Sequence, residues 1–194
     1  SKIIKLDFPK SQYCEKTYPK KQIVLHHTAS GRGIDGDFSH WLNTPERIAT
    51  CVIIDYKGII HQLFSSKFWG HHLGIKQSFL KKKGFKNYQI RNELLNQQAI
   101  GIEIDAWGGL KNKNGKWYAY PGDFSKEVSK DRVIEVPDGY RGYFGYEKYT
   151  DELAELTGGQ ISVTTEKQEA LAPGILLKNN LIVRHKVTKF VRDF

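Results

Sequence analysis

Short runs of aliphatic residues constrain this chain more than any other feature. Ile23-Val24-Leu25, Val52-Ile53-Ile54, Ile59-Ile60 leading on to Leu63-Phe64, Ile100-Gly101-Ile102-Glu103-Ile104 and Leu181-Ile182-Val183 are rich in β-branched side chains and too short for helices. Branching at Cβ favours the extended backbone. A strand that is apolar on both faces must also be covered on both faces. The turn Asp55-Tyr56-Lys57-Gly58 joins the second and third runs into an expected β-hairpin. Helical signals lie between the runs. Phe38 to Asn43 is stopped by Thr44-Pro45, and Tyr88 to Gln97 precedes the fourth run. Thr150 to Leu156 ends at Gly158-Gly159, while Thr165 and Gln168 form a capping pattern before Ala170-Leu171 and Pro173-Gly174. Strands interspersed with helices predict an α/β or α+β fold, a central mixed β-sheet flanked by helices. The 194 residues suit a single domain.

The stretch from Trp107 to Tyr149 departs from this pattern. It is dense in Gly and aromatic residues, with a turn expected at Lys111-Asn112-Lys113-Asn114-Gly115. So many aromatics argue against disorder. Two structures remain open for it: an aromatic wall beside a cleft, suited to stacking on sugar faces, or a satellite subdomain that packs on itself. Cys14 and Cys51 could form one disulfide but make no disulfide framework. Cys51 opens an aliphatic run and is expected to be a small buried hydrophobe.

A formal net charge of +9 attracts polyanions, of which anionic cell wall and nucleic acid are both candidates. No zinc-finger spacing or aromatic RNA-binding motif accompanies the charge, so nucleic acid is not the expected partner. No apolar run is long enough to span a membrane. The first residues, Ser1-Lys2-Ile3-Ile4, lack a secretory pattern.

Two of the aliphatic runs share a design. Ile23-Val24-Leu25 ends in His26, and Leu181-Ile182-Val183-Arg184 ends in His185. Neighbouring strands would bring both imidazoles to one edge of the sheet, and Asp193 follows shortly after. Two imidazoles and a carboxylate leave a tetrahedral zinc with one open position for water, the arrangement of hydrolytic sites. By itself a histidine at a strand end is more often structural than a ligand.

A set of motifs adds to this. Val24-Leu25-His26-His27-Thr28-Ala29 resembles the opening motif of the type 2 N-acetylmuramoyl-L-alanine amidases, which share a fold with peptidoglycan recognition proteins and certain phage lysozymes. Cys51 to Ile60 resembles that family's hydrophobic hairpin with Asp-x-x-Gly at its turn. Trp69-Gly70-His71-His72-Leu73-Gly74 resembles its Trp-His-x-Gly block, with one extra residue. Asn96 to Ile104 resembles its Asn-x-x-Ser-Ile-Gly-Ile-Glu block, with Ala99 in place of Ser. Thr165 to Leu171 resembles its Thr-x-x-Gln helix, and Val183-Arg184-His185 through Asp193 resembles its closing metal motif.

The resemblance implies a peptidoglycan-recognition-protein-like amidase fold over residues 1–194, with residues 107–149 as an insert. It implies a Zn2+ cofactor held by His26, His185 and Asp193, and peptidoglycan as substrate. Glu103 would be the base or proton shuttle. His72, or His71 if the extra residue falls on the other side, would contact substrate, as would Trp69 and Asn96. The family often places Lys or Thr two residues before the last ligand to hold the oxyanion. Val191 stands there in this chain, which leaves Arg192 or Lys189 for that role. A family tyrosine in the second strand corresponds to Thr50 or Cys51. A lysin of phage origin acting on the cell wall, either after release from the host cytoplasm or after non-classical secretion, fits these features. A recognition module that binds peptidoglycan without cutting it is the main competing expectation.

Overall fold

The computed structural model describes residues 3–119, 124–140 and 142–148, and the backbone of residues 184–186. The chain opens with β1 (Ile3–Lys5) and β2 (Gln22–His27), then α1 (Asp35–Asn43), β3 (Val52–Ile54) and β4 (Ile60–Gln62). Two short helices, α2 (Gln77–Lys82) and α3 (Arg91–Gln97), lead into β5 (Ala99–Ile104). Next come β6 (Gly109–Lys113), β7 (Lys116–Tyr118), β8 (Glu127–Val128), β9 (Val133–Tyr140) and β10 (Tyr143–Glu147). The last described strand is β11 (Arg184–Lys186).

Six strands form the main sheet in the order β1-β4-β3-β5-β2-β11. It is mixed, as expected: β5 runs parallel to both β2 and β3, while β3 and β4 make the antiparallel hairpin. The aliphatic runs occupy its centre. Their continuity has the predicted cause. Along β2, Leu25 packs into one cluster with Phe8, Tyr13, Trp41 and Phe64, while its neighbour Val24 packs into another with Leu73, Leu80 and Leu95. A strand buried on both sides has no place for alternate polar residues. Full burial of one such side chain contributes roughly 1.5–3 kcal/mol. The helix expectations for 38–43 and 88–97 correspond to α1 and α3. Those for 150–156 and 165–171 lie outside the described residues.

The strand expected at the end of the chain does neighbour β2, but it runs antiparallel to it. The two histidine-bearing tips therefore do not lie at one end of the sheet. His185 is in register with Ile23, three residues before His26 on β2, a backbone offset of about 10 Å at the usual strand rise.

Strands β6 to β10 form a second, five-stranded sheet in the order β8-β7-β6-β10-β9, antiparallel throughout. Of the two structures open for this stretch, this sheet corresponds to the self-packing one. Leu110, Trp117, Ala119, Val128 and Val133 make its own core. The Trp117 ring lies across Gly145, where a Cβ would come within 2.5 Å of it, so only glycine fits. Asn114 and Gly115 take positive φ at the β6–β7 turn, as a tight hairpin demands. Some aromatics do face outward: Phe144 is exposed, and Phe124 lies edge-on to Tyr118 beneath the Lys113 ammonium.

One buried carboxylate ties the two sheets together. Glu147 at the end of β10 accepts Arg32 Nη2 at 2.7 Å from the loop after β2, and the Trp107 backbone N–H at 2.7 Å. Arg132 stands 3.5 Å from the same carboxylate. A buried anion left with fewer partners, or its partners left without it, is costly. Glu147→Ala is expected to lower the free energy of unfolding by about 2–3 kcal/mol in urea titrations. That is below the ~3–5 of a wholly buried pair, because Arg32 retains solvent. Lys116→Ala, which removes the exposed pair with Glu127, should leave the urea midpoint unchanged.

Candidate active site

His26 and Glu103 are direct partners in the parallel register of β2 and β5, so both side chains rise from the same face of the sheet. Both sit near the carboxyl ends of their strands. Ligands of sheets with adjacent parallel strands bind beyond that edge. Gly101 and Glu103 alternate along β5 on this face, and Asp105 follows just past the strand's end. His26 is 2% exposed and Glu103 9%.

His72 completes the cluster. Its Nδ1 lies 2.9 Å from His26 Nε2, and the two rings are almost perpendicular. The segment that carries it is held from several sides. Asn96 Oδ1 on α3 accepts the backbone N–H groups of His72 at 2.9 Å and Leu73 at 3.2 Å. Asn96 Nδ2 donates to the Asn92 carbonyl. Lys20 Nζ donates to the carbonyls of Phe68 and Gln97, joining the start of the segment to the end of α3. Gly101 gives the His72 ring its place, since a Cβ there would lie 3.0 Å from the ring and 2.9 Å from Thr50 Cγ2.

Burial sets the electrostatics. It lowers the His26 imidazolium to a pKa of about 3, helped by the nearby His27, and His72 is pushed well below the usual histidine range for the same first cause. Both rings are neutral at neutral pH, as a metal ligand or an acceptor must be. Burial raises Glu103 well above the ordinary carboxyl range, with Asp37 of α1 adding repulsion. Asp37 and Asp105 are raised as well, again chiefly by burial. Ser30 Oγ donates to Asp37 and the Gly33 N–H donates to Asp105, so the β2–α1 loop is stitched to this acidic edge. A carboxyl group raised above its ordinary range binds a proton more strongly, which suits a group that takes and returns one. Lys20 is half-buried, and desolvation lowers its ammonium to about 8.

The other expected site residues fall in different places. Asn96 is fully buried with its carboxamide engaged by backbone, so it holds the His72 segment in place rather than facing a substrate. Trp69 is buried, and His71 packs edge-on against it, half-buried. His27 is buried next to Gly108 at the start of the second sheet. Thr50 donates to the Val52 carbonyl within the sheet. Cys14 and Cys51 are free thiols, and burial pushes the Cys51 thiol up to about 12, as befits a small hydrophobe. Asp193, Arg192, Lys189 and Val191 lie outside the described residues, as does the side chain of His185. Asp37, Ser30 and Lys20 were not singled out in the sequence. Each reaches the site only through tertiary contacts.

Among the described residues no group of three His, Cys, Asp or Glu side chains could hold a metal ion. His26 by itself suits a zinc ligand: it is a buried, uncharged imidazole anchored through one ring nitrogen.

The raised Glu103 and the lowered histidines act oppositely on stability. Each histidine binds its proton more readily unfolded than folded, so its contribution is present above about pH 6.5 and lost as pH falls below it. Glu103 binds its proton more readily when folded, so its contribution is present below the unfolded value near 4.5 and is lost as pH rises toward the folded one. Glu103→Gln should therefore gain stability relative to the unchanged chain at pH 8 and not at pH 4. Equal urea-midpoint differences at the two pH values would contradict a buried, raised carboxyl.

No family model matches this chain, and no curated protein matches it. Among solved structures, the PlyG catalytic domain is similar at 18% identity with a TM-score of 0.37, over 53% of this chain and 55% of that one. PlyL is similar at 17% identity with a TM-score of 0.38, over 53% of this chain and 57% of that one. A point mutant of PlyL gives 16% identity and a TM-score of 0.39, over 54% and 59%. The likeness thus spans little more than half the length of those structures.

Proposed function

We propose that this chain is a zinc-dependent hydrolase that cleaves the amide bond between N-acetylmuramic acid and L-alanine in peptidoglycan. One observation carries the reading. A buried neutral imidazole, His26, stands in register with a buried carboxyl raised well above its ordinary range, Glu103, near the carboxyl ends of parallel strands. The motif order from Val24 to Asp193 supplies the substrate class. In this reading the motif order assigns the metal to His26, His185 and Asp193, which requires the His185 side chain to reach His26 from a register position opposite Ile23. When bound, zinc supplies a water of lowered pKa and polarises the scissile carbonyl.

The chain's own residues do the rest. Glu103 takes a proton from the attacking water, which requires its ionised form. It then returns the proton to the departing amine of L-alanine, which requires its protonated form. A carboxyl raised above its ordinary range is a stronger base once ionised and holds the proton it must return. Asp37 sustains that shift through repulsion. Arg192 or Lys189 stabilises the charge that develops on the carbonyl oxygen. His71, half-buried against Trp69, offers the substrate-facing surface of the Trp69–Gly74 segment. The +9 charge draws the protein to an anionic wall. No helix among the described residues is long and apolar enough to cross a membrane. Action on the wall as a phage lysin fits this reading.

The test is digestion of purified peptidoglycan, with new N-terminal alanine as the readout and bound zinc measured in parallel. His26→Ala is expected to lose both. Glu103→Gln is expected to keep the zinc and lose at least ~100-fold in rate. Activity preserved in the second variant removes Glu103 from the mechanism. The antiparallel register of β11 favours a second reading, a groove that binds peptidoglycan without cutting it. Tight binding of the wall with no release of alanine termini would decide for that one.

A further inference from the structure

Between Asp55 and Glu93 the chain carries no acidic residue. Within that gap Lys76, Lys81, Lys82, Lys83, Lys86 and Arg91 supply six cations, against a net charge of +9 for the whole chain. They span α2, the loop after it and the start of α3. The five lysines are exposed and Arg91 is half-buried. Exposed lysines elsewhere have acidic partners, as Lys10 has Glu15 and Lys116 has Glu127. Glu93, the acid that ends the gap, is engaged by Gln97 Nε2 at 2.9 Å. The positive charge of this surface is therefore not cancelled locally.

The surface is also held in shape. Gln77 Nε2 donates to the Gln89 carbonyl at 3.0 Å, and the Ile75 N–H donates to Asn92 Oδ1 at 2.9 Å. Leu80 is fully buried and packs with Leu73, Ile75 and Leu95 over Val24. The Lys81 ammonium lies 5.7 Å from the Tyr88 ring centre, Lys83 lies 5.8 Å from Phe79, and the Arg91 guanidinium lies 5.3 Å from Phe85. Cations rested on rings lose less freedom when they meet an anion. The three rings are partly buried against the apolar layer and each carries a cation, so they offer no bare platform for stacked bases. Helix α2 turns its buried Leu80 inward and ends in two lysines, which leaves it no apolar face to enter lipid.

We propose that residues 76–91 form a docking surface for a flexible phosphodiester polyanion of the cell wall, a polyol-phosphate chain, separate from the residues proposed to cut the amide bond. Lysine ammonium groups are compact point charges that meet single phosphate charges without demanding one geometry. The Arg91 guanidinium can hold two oxygens of one phosphate. With no carboxylate along its length, the surface lets a chain of repeated negative charge lie across it in several registers. It follows directly in the chain on the 69–74 segment that carries His72, so a polymer held there keeps the candidate site beside the wall. The choice of a wall polymer rests on the peptidoglycan reading above, and the place of the anion-binding surface does not.

The experiment measures binding of the full chain to polyglycerol phosphate over a series of salt concentrations. Two triple variants are compared: Lys81→Gln, Lys82→Gln, Lys83→Gln on the proposed surface, and Lys111→Gln, Lys113→Gln, Lys116→Gln on the second sheet. Both remove the same charge, so a difference between them reports place rather than net charge. The first is expected to bind at least ~10-fold more weakly, with the slope of log affinity against log salt smaller by about 2, as for the loss of three contacts to a flexible polyanion. The second is expected to stay within about 3-fold with its slope kept. Equal losses in the two overturn the proposal in favour of net charge alone. Lys76→Gln with Lys86→Gln should weaken binding in the same direction, and no effect in that pair overturns an extended surface. Single-stranded DNA and vesicles of phosphatidylglycerol serve as rival probes. Tighter binding of either than of polyglycerol phosphate at equal charge overturns the choice of partner. Alanine release is read separately, on walls stripped of phosphate polymer. A chain that binds the polymer through residues 76–91 yet releases no alanine defeats the amidase reading and leaves the docking surface standing.

Discussion

Keeping His26 and Glu103 side by side and away from water is unfavourable for both charged forms, and the rest of the molecule supplies the packing that sustains it. Burial acts on both groups: it lowers the His26 imidazolium to about 3 and raises the Glu103 carboxyl well above its ordinary range. Parallel pairing of β2 with β5 fixes their spacing. The two apolar layers, one around Trp41 and Phe64 and one around Leu80 and Leu95, close the sheet on both sides and keep it dry. A sheet open on one face could present the same two residues, but solvent would return both to ordinary titration behaviour.

The aliphatic runs made the central strands legible because burial on both faces leaves an unbroken signature. β1 and α2 escaped notice for opposite reasons. Ile3–Lys5 is an edge strand with partly exposed residues, and Gln77–Lys82 merges into a lysine run that reads as a solvated loop. The direction of β11 was not legible at all. A run such as Leu181-Ile182-Val183 says that a strand forms, whereas parallel or antiparallel pairing is set by the connection that precedes it. In the site, His26 and Glu103 stood out through their motifs. The His26–His72 bond did not, because it depends on how closely one loop approaches one strand, and that approach is set by Gly101, Asn96 and Lys20 together.

Asn96 shows how a motif residue can matter without touching anything that reacts. Its side-chain oxygen accepts two successive backbone N–H groups, and its nitrogen is tied to its own helix. An aspartate would offer the oxygens but not the donor, and would add a negative charge at a position with no solvent to dissipate it. The same segment is anchored from the other side by Lys20, whose ammonium donates to two carbonyls while burial lowers its pKa to about 8. Helix α3, the 69–74 segment and the sheet are thereby fastened around His72 by buried polar contacts. Such contacts specify one arrangement more sharply than apolar packing does, because a misplaced apolar side chain loses a little contact area while a misplaced buried amide loses its partners outright.

The second sheet bears on the site through the loop it holds. Arg32, clamped by Glu147, belongs to the same β2–α1 loop as Ser30 and Gly33, which bond Asp37 and Asp105. Asp37 in turn contributes to the raised state of Glu103. A chain of fixed contacts thus runs from the end of β10 to the carboxyl group proposed to move protons. Loosening Glu147 would leave Glu103 and its strand in place. It would free the loop that positions Asp37, and the consequence would appear in the proton affinity of Glu103 before it appeared in the fold of the main sheet. The second sheet's contribution is therefore electrostatic as well as steric, although none of its described residues is paired with His26 or Glu103 in the strand register.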